Sequence, residues 1–177
     1  MENPSVWAWR GVPGNPVFLM CKLVVCISEI AHPRHHMQMI SAILVCLVVG
    51  ISDGDSLSVR CAAAEPQRQV RIHAIDAPER YQSFSEAARS SLAALCLDIR
   101  ARIRLIETDD FGRTVAQVEC RGEDVARHQV SAGMAWVYAR YARMRPDLPA
   151  LQARARAERR GLWADAHPVA PWAWRHR

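Results

Sequence analysis

The apolar residues from about position 44 to position 161 change period in a fixed order, which constrains the fold more than any other feature of the chain. Residues 44–51 are a short run rich in Val and Ile, the pattern of a buried strand. Residues 56–62 alternate weakly. Residues 69–75 alternate with Val70, Ile72 and Ala74 on one face and Arg71 and His73 on the other. Glu65-Pro66 between them predicts a turn. Ser85 is the expected N-cap of a helix with Ala88, Leu92, Leu95 and Cys96 on one stripe. Residues 102–107 and 114–120 alternate again, linked by a loop that contains Gly112. Asp124 is expected to cap a second helix that ends at Gly133. A third helix is expected from about Leu148 to Arg160, stopped at Gly161-Leu162-Trp163. The order β-β-β-α-β-β-α-α contains no βαβ alternation. It predicts an α+β domain built on a small barrel.

A length of 177 residues at 50% hydrophobic composition suits one domain with a real core and is thin for two. With 23% charged residues, 8 Gly and 10 Pro, wholesale disorder, collagen and low complexity are excluded. The formal net charge of +5 permits an anionic partner without requiring one. Lys22 is the only lysine, so the basic charge is arginine, which suits bidentate phosphate contacts. A coding bias toward Arg and Ala explains the bulk of them equally well, so only arginines at special positions carry an argument.

Residues 1–38 read differently from the remainder and form an N-terminal extension ahead of a domain over 39–177. Their apolar run at 17–27, and the run at 39–51 that follows, are each shorter than the ~20 residues a spanning helix needs. The second run resembles the apolar region of an export signal, but no small-x-small cleavage site follows, and it continues into Asp53-Gly54-Asp55. The extension is therefore read either as an export signal or anchor, or as sequence upstream of a true start at Met37 or Met39. A membrane enters only with an anchor. Cys21, Cys26, His32 and His35 match no closed structural zinc spacing.

Three short pieces carry chemistry: Asp53-Gly54-Asp55-Ser56, the run from Arg71 to Glu79, and Asp109-Asp110-Phe111-Gly112-Arg113. With a hairpin centred on Glu65-Pro66, Asp55 faces Asp76. Like charges directly opposite destabilise a sheet, so the pair calls for a counter-charge, and a divalent cation with oxygen ligands is the natural one. Pro78 ends the strand and leaves Glu79 on a stiff loop. Arg71 and Arg113 complete a set suited to a phosphodiester: cation and arginines on the phosphate oxygens, Glu79 on the attacking water. Each piece alone is an ordinary turn or loop; their joint occurrence in this order is the signal.

These pieces, with Gly133-Met134-Ala135-Trp136-Val137-Tyr138 and Arg160-Gly161-Leu162-Trp163, resemble the staphylococcal nuclease (thermonuclease) family over about 125 residues. The tail Pro171-Trp172-Ala173-Trp174-Arg175, within a Trp-rich basic stretch over 168–177, resembles that of many bacterial members. The resemblance implies a five-stranded OB-type β-barrel with three α-helices. It implies calcium-dependent cleavage of DNA and RNA with low sequence specificity, leaving 3′-phosphates. It matches Arg71, Glu79 and Arg113 to the catalytic triplet, Asp55 and Asp76 to the calcium carboxylates, and the Ala77 carbonyl to a backbone ligand. Asp110 stands where a basic residue is usual and Phe111 where tyrosine is usual. Related-looking bacterial members carry a pair like Cys96 and Cys120, which implies a disulfide and an extracytoplasmic (secreted or periplasmic) site.

Tyr138 and Tyr141 follow the second helix and are candidates to stack on a base, Tyr141 ahead of Tyr138. His73 reads as a partly exposed structural residue, Trp136 and Trp163 as packing residues, and Trp172 and Trp174 as pins for the tail. A monomer without a stable protein partner is expected. The competing reading is a non-catalytic OB-fold module that binds nucleic acid, against which Glu79 argues, since a carboxylate beside phosphate repels the ligand. A secreted structural or adhesion domain is the third.

Overall fold

The computed structural model describes residues 43–176. The N-terminal extension over 1–38, with its Cys and His residues, lies outside the described residues.

Five strands close a barrel. Strand β1 (Ile43–Ile51) pairs antiparallel with β2 (Ser56–Arg60) and with β5 (Arg100–Thr108). Strand β2 pairs with β3 (Arg68–Ile72), and β5 with β6 (Thr114–Cys120). A parallel pairing of β3 with β6 closes the ring, which removes both free edges. Two short ribbons lie outside the ring. Strand β4 (Ile75–Asp76) pairs with β8 (Trp136–Val137), and β7 (Glu123–Asp124) extends β6. Helices α1 (Ser85–Cys96), α2 (Val125–Ser131) and α3 (Asp147–Ala157), with a single turn α4 (Pro171–Trp174), complete an α+β OB-type fold. Among the described residues no helix is long and apolar enough to cross a membrane.

The apolar stripe of α1 is buried as Ala88, Leu92, Leu95 and Cys96, the residues its spacing predicts. They pack with Val48, Leu57, Ile72, Ile103 and Val118 of the barrel in the main core. A second cluster gathers Trp136, Ala155, Leu162 and Trp163 between α3 and the turn that follows it. Trp136 and Trp163 meet edge to face at 4.4 Å, the arrangement favoured by their ring quadrupoles.

Gly133 and Gly161 bring two turns into contact. The Leu162 amide donates to the Gly133 carbonyl at 2.8 Å, and a Cβ on Gly133 would lie 2.2 Å from the Arg160 carbonyl oxygen. Both glycines also hold positive φ, 70° and 51°, which side chains rarely adopt.

Several local expectations change. The β2–β3 hairpin pairs Ser56 with Arg71 and Leu57 with Val70, so its centre lies before Glu65-Pro66 and Asp55 does not face Asp76. The predicted strand over 69–75 is two strands, broken where Ala74 takes φ 71°. Ser85 is the first helical residue of α1 and not its cap; Phe84 precedes it in the left-handed region at φ 67°, with no side-chain cap. Strand β1 is not buried throughout, since Val45 is 51% exposed. His73 is fully enclosed rather than partly exposed. Asp124 caps α2 as predicted, accepting from the Arg127 amide at 2.9 Å.

Two disulfides tie the barrel. Cys96 at the end of α1 bonds Cys120 at the end of β6, with Cα atoms 5.4 Å apart. Cys46 of β1 bonds Cys61, just past β2, with Cα atoms 4.0 Å apart. The second bond joins two cysteines for which the spacing gave no partner.

Candidate active site

One cleft of about 470 Å³ opens beside the mouth of the barrel. It is lined by Asp55, Arg71, Asp76 and Ala77 from the barrel side, by Glu79 and Arg113 from loops, and by Tyr138 and Tyr141 past β8. The eight site residues expected from the sequence thus border one space.

Asp55 ends the turn between β1 and β2. Its amide donates to Asp53 Oδ1 at 3.0 Å, so Asp53 closes the turn. Gly54 lets this turn press against α1 and the Asp76-Ala77 segment. A Cβ there would lie 2.6 Å from Ala88 Cβ and 2.8 Å from Ala77 Cβ. Asp76 reaches the same place by another route, because the left-handed Ala74 turns the chain out of the barrel and β4 carries Asp76 back.

Arg71 joins the two carboxylates. Its Nη1 donates to Asp55 Oδ1 at 2.8 Å and its Nη2 to Asp76 Oδ1 at 2.7 Å. Both aspartates are 2% exposed. Asp55 also accepts from Ser56 Oγ at 2.9 Å and from the Ala77 amide at 2.7 Å. Burial pushes the Asp55 carboxyl up to about 7 against the pull of Arg71, and the nearby negative charges of Asp53 and Asp76 add to the rise. Burial works against the Arg71 charge as well, but Asp55 and Asp76 outweigh it and hold its pKa above the usual arginine value.

Arg175 of the tail brings a third guanidinium. Its Nη2 donates to Asp76 Oδ2 at 2.8 Å, and its Nη1 bonds Glu79 Oε1. Its pKa is raised, first by the hydrogen bond to Asp76. Glu79 has its amide on Gln82 Oε1 at 2.9 Å, and Gln82 Nε2 donates to the Val169 carbonyl at 2.5 Å. Arg113 is positioned by Asp109, which accepts from its Nε at 2.7 Å and from its amide at 2.9 Å. Those bonds leave the two terminal nitrogens of Arg113 without a protein acceptor among the described residues. Phe111, 83% exposed, lies 5.2 Å below the guanidinium.

Tyr141 bonds Glu107 through its hydroxyl, and its ring meets His73 at 4.5 Å and Tyr138 at 5.8 Å. Tyr138 is 39% exposed and is the freer of the two to meet a base. The tail is pinned as expected, with Trp172 5.6 Å from Trp136 and 6.2 Å from Tyr138.

The free acceptor positions around Asp55 and Asp76 belong to oxygen atoms. A carboxylate offers about four lone-pair positions. Arg71 and Ser56 take Asp55 Oδ1, and Ala77 takes one position on Oδ2; Asp76 Oδ2 carries Arg175. Each aspartate thus retains acceptor capacity on Oδ2, and the unprotonated donors here are all oxygen, the type calcium prefers. Among the described residues no three His, Cys, Asp or Glu side chains converge as a metal group.

Sequence reasoning passed over Gln82 and Gln129, and it placed Arg175 only within the tail motif. Gln129 is wholly buried on α2, donating to the Gly54 carbonyl at 2.7 Å and the Ala88 carbonyl at 3.0 Å. Its signal was available, since a glutamine sits among the apolar positions Val125, Ala126 and Val130 of the helix face. Nothing in the sequence pointed Arg175 to Asp76, which lies 99 residues away.

Residues 69–165 match the family described as staphylococcal nuclease homologue. The chain is 39% identical over 133 residues to an uncharacterised endonuclease of Escherichia coli O157:H7, covering 73% of this chain and 84% of that protein. It is 36% identical over 132 residues to an uncharacterised endonuclease of Haemophilus influenzae, covering 75% and 73%. Against a probable staphylococcal-like nuclease of Oryza sativa subsp. japonica it is 32% identical over 107 residues, covering 60% of this chain and 32% of that one.

Proposed function

Because this chain belongs to the staphylococcal nuclease family, we propose that it is a calcium-dependent nuclease that hydrolyses phosphodiester bonds of DNA and RNA with low sequence specificity. The observation that carries this reading is Arg71 bridging two buried carboxylates at 2.8 and 2.7 Å, in a cleft that also holds Glu79 and Arg113.

Arg71 and Arg113 hold the non-bridging oxygens of the scissile phosphate and stabilise the charge that grows on them in the transition state. Arg113 enters with free terminal nitrogens, and Asp109 fixes its stem. Arg71 is held between Asp55 and Asp76, so it presents a fixed positive edge to the cleft. Glu79 takes the proton from the attacking water as the P–O5′ bond breaks, and the leaving 5′ oxygen takes up a proton from solvent, which leaves a 3′-phosphate and a 5′-hydroxyl. Asp55, Asp76 and the Ala77 carbonyl would hold the cation. Calcium bound there would supply positive charge to the phosphate and help orient water. Tyr138 gives a base a ring to stack on. Among the described residues the cleft gathers groups suited to phosphate rather than to base edges, which supports low specificity.

Two disulfides in one small domain support an extracytoplasmic location, where such bonds persist. A monomer suffices for this site, since every group named comes from one chain.

The test is incubation of the protein with single-stranded DNA and with RNA, in calcium and in chelator. Cleavage of both in calcium alone is expected. Equal cleavage in chelator removes the cation from the account.

A further inference from the structure

The proposed catalytic residues do not explain the C-terminal tail, which makes two separate connections to the loop that carries Glu79. The first runs through the backbone. Gln82 accepts from the Glu79 amide at 2.9 Å through Oε1, and donates to the Val169 carbonyl at 2.5 Å through Nε2. Gln82 is 6% exposed, so this link is shielded from water. The second runs through side chains, where one Arg175 guanidinium bonds Glu79 Oε1 and Asp76 Oδ2 together.

The fold delivers Arg175 to this place by a short chain of contacts. Asp76 of β4 is the register partner of Trp136 on β8. Trp136 packs against Trp172 at 5.6 Å. Trp172 lies on α4, whose first residue Pro171 is buried and starts the turn with the φ a helix needs. Arg175 caps that turn, its amide donating to the Pro171 carbonyl at 3.0 Å. Three residues past Trp172, its side chain returns to the aspartate that faces Trp136.

We infer that Arg175 is a positioning residue for the reaction, bridging Asp76 and Glu79 so that the proton acceptor keeps a fixed place relative to the phosphate site. The inference rests on the reading of Glu79 as proton acceptor. Glu79 is about one-third exposed on a loop, and a carboxylate so placed samples several rotamers unless something holds it. A planar guanidinium with its donors in a fixed fork holds two carboxylates in set directions, which an ammonium on a flexible stem does less rigidly. The tail is then part of the active site and not merely its cover.

The experiment uses the whole chain with Arg175→Gln, Arg175→Lys, Glu79→Gln and the double variant Glu79→Gln with Arg175→Gln. Initial rates on one single-stranded oligonucleotide in calcium give kcat and KM, and thermal melting monitors the fold. Arg175→Gln is expected to lower kcat about ten- to a hundredfold, as small misplacements of a reacting group do, with KM little changed. Arg175→Lys is expected to lie between the wild type and Arg175→Gln. In the Glu79→Gln background the loss of Arg175 should add nothing further, because the two act as one unit. Four results overturn the inference: an unchanged or faster Arg175→Gln, a rise in KM alone, a double variant slower by the product of the single effects, or a drop in melting temperature that accounts for the lost rate. If Glu79→Gln itself cleaves at the wild-type rate, the catalytic reading of Glu79 fails and the inference falls with it. A slow Glu79→Gln beside a normal Arg175→Gln removes the inference alone.

Discussion

The side-chain amide of Gln129 donates to the carbonyl of Gly54 at 2.7 Å, joining α2 to the turn that presents Asp55. The same nitrogen reaches the Ala88 carbonyl of α1 at 3.0 Å, and Ser91 Oγ donates to Gln129 Oε1 at 2.7 Å. One buried amide thus fixes where two helices and the carboxylate turn meet. Gln129→Leu keeps the volume roughly, strands the Gly54 carbonyl and removes a second partner from the Ala88 carbonyl. The expected cost is about 1–3 kcal/mol, the penalty for buried polar groups left unpaired. Chemical denaturation measures it, and a change below about 0.5 kcal/mol would show that the amide is dispensable.

The bond between Cys96 and Cys120 closes a segment of 24 residues. A loop of that size restricts the unfolded chain enough to stabilise the fold by about 3 kcal/mol. Replacing both cysteines with alanine should lower stability by that order in a urea titration. A double variant as stable as the wild type would contradict the pairing as a structural tie.

His73 should make the protein acid-sensitive. Its ring is buried against Tyr141, and neither ring nitrogen meets a protein partner among the described residues. Burial lowers its pKa below the usual 6.5, and the Arg145 charge lowers it further, against the opposite pull of Glu107 and Asp124. The unfolded chain therefore takes up a proton that the folded chain refuses. Stability from the neutral ring is whole above pH 6.5 and is lost as pH falls below it toward the folded value. Urea stability of the wild type, relative to His73→Phe, should fall between about pH 8 and about pH 5. Parallel pH profiles for the two proteins would contradict this.

The barrel was legible because strand alternation and the single stripe of α1 are local signals, carried by residues close in sequence. The disulfide between Cys96 and Cys120 came from resemblance, and the partnership of Cys46 with Cys61 had no local signal at all. The site was legible in composition and not in geometry. Asp55 and Asp76 do come together, but through Arg71 and the left-handed turn at Ala74 rather than across the hairpin. An alanine with positive φ leaves no mark in a sequence, because nothing about alanine favours that region. A hairpin register misplaced at its turn moves every facing pair, as it did for Asp55.

The Trp-rich tail shows the same limit. Trp172 reads correctly as a pin, since it packs on Trp136. What pinning accomplishes depends on where Trp136 lies, opposite Asp76, and that pairing is a tertiary fact.

The most direct test of the account is the cleavage rate and binding constant of Glu79→Gln on one oligonucleotide in calcium. The variant keeps the size of the side chain and removes both the proton acceptor and a negative charge. The rate should fall by roughly 10²–10⁴, the usual contribution of general acid–base catalysis, while binding holds or tightens. A Glu79→Gln protein that cleaves at the wild-type rate would contradict the assignment of this cleft's chemistry.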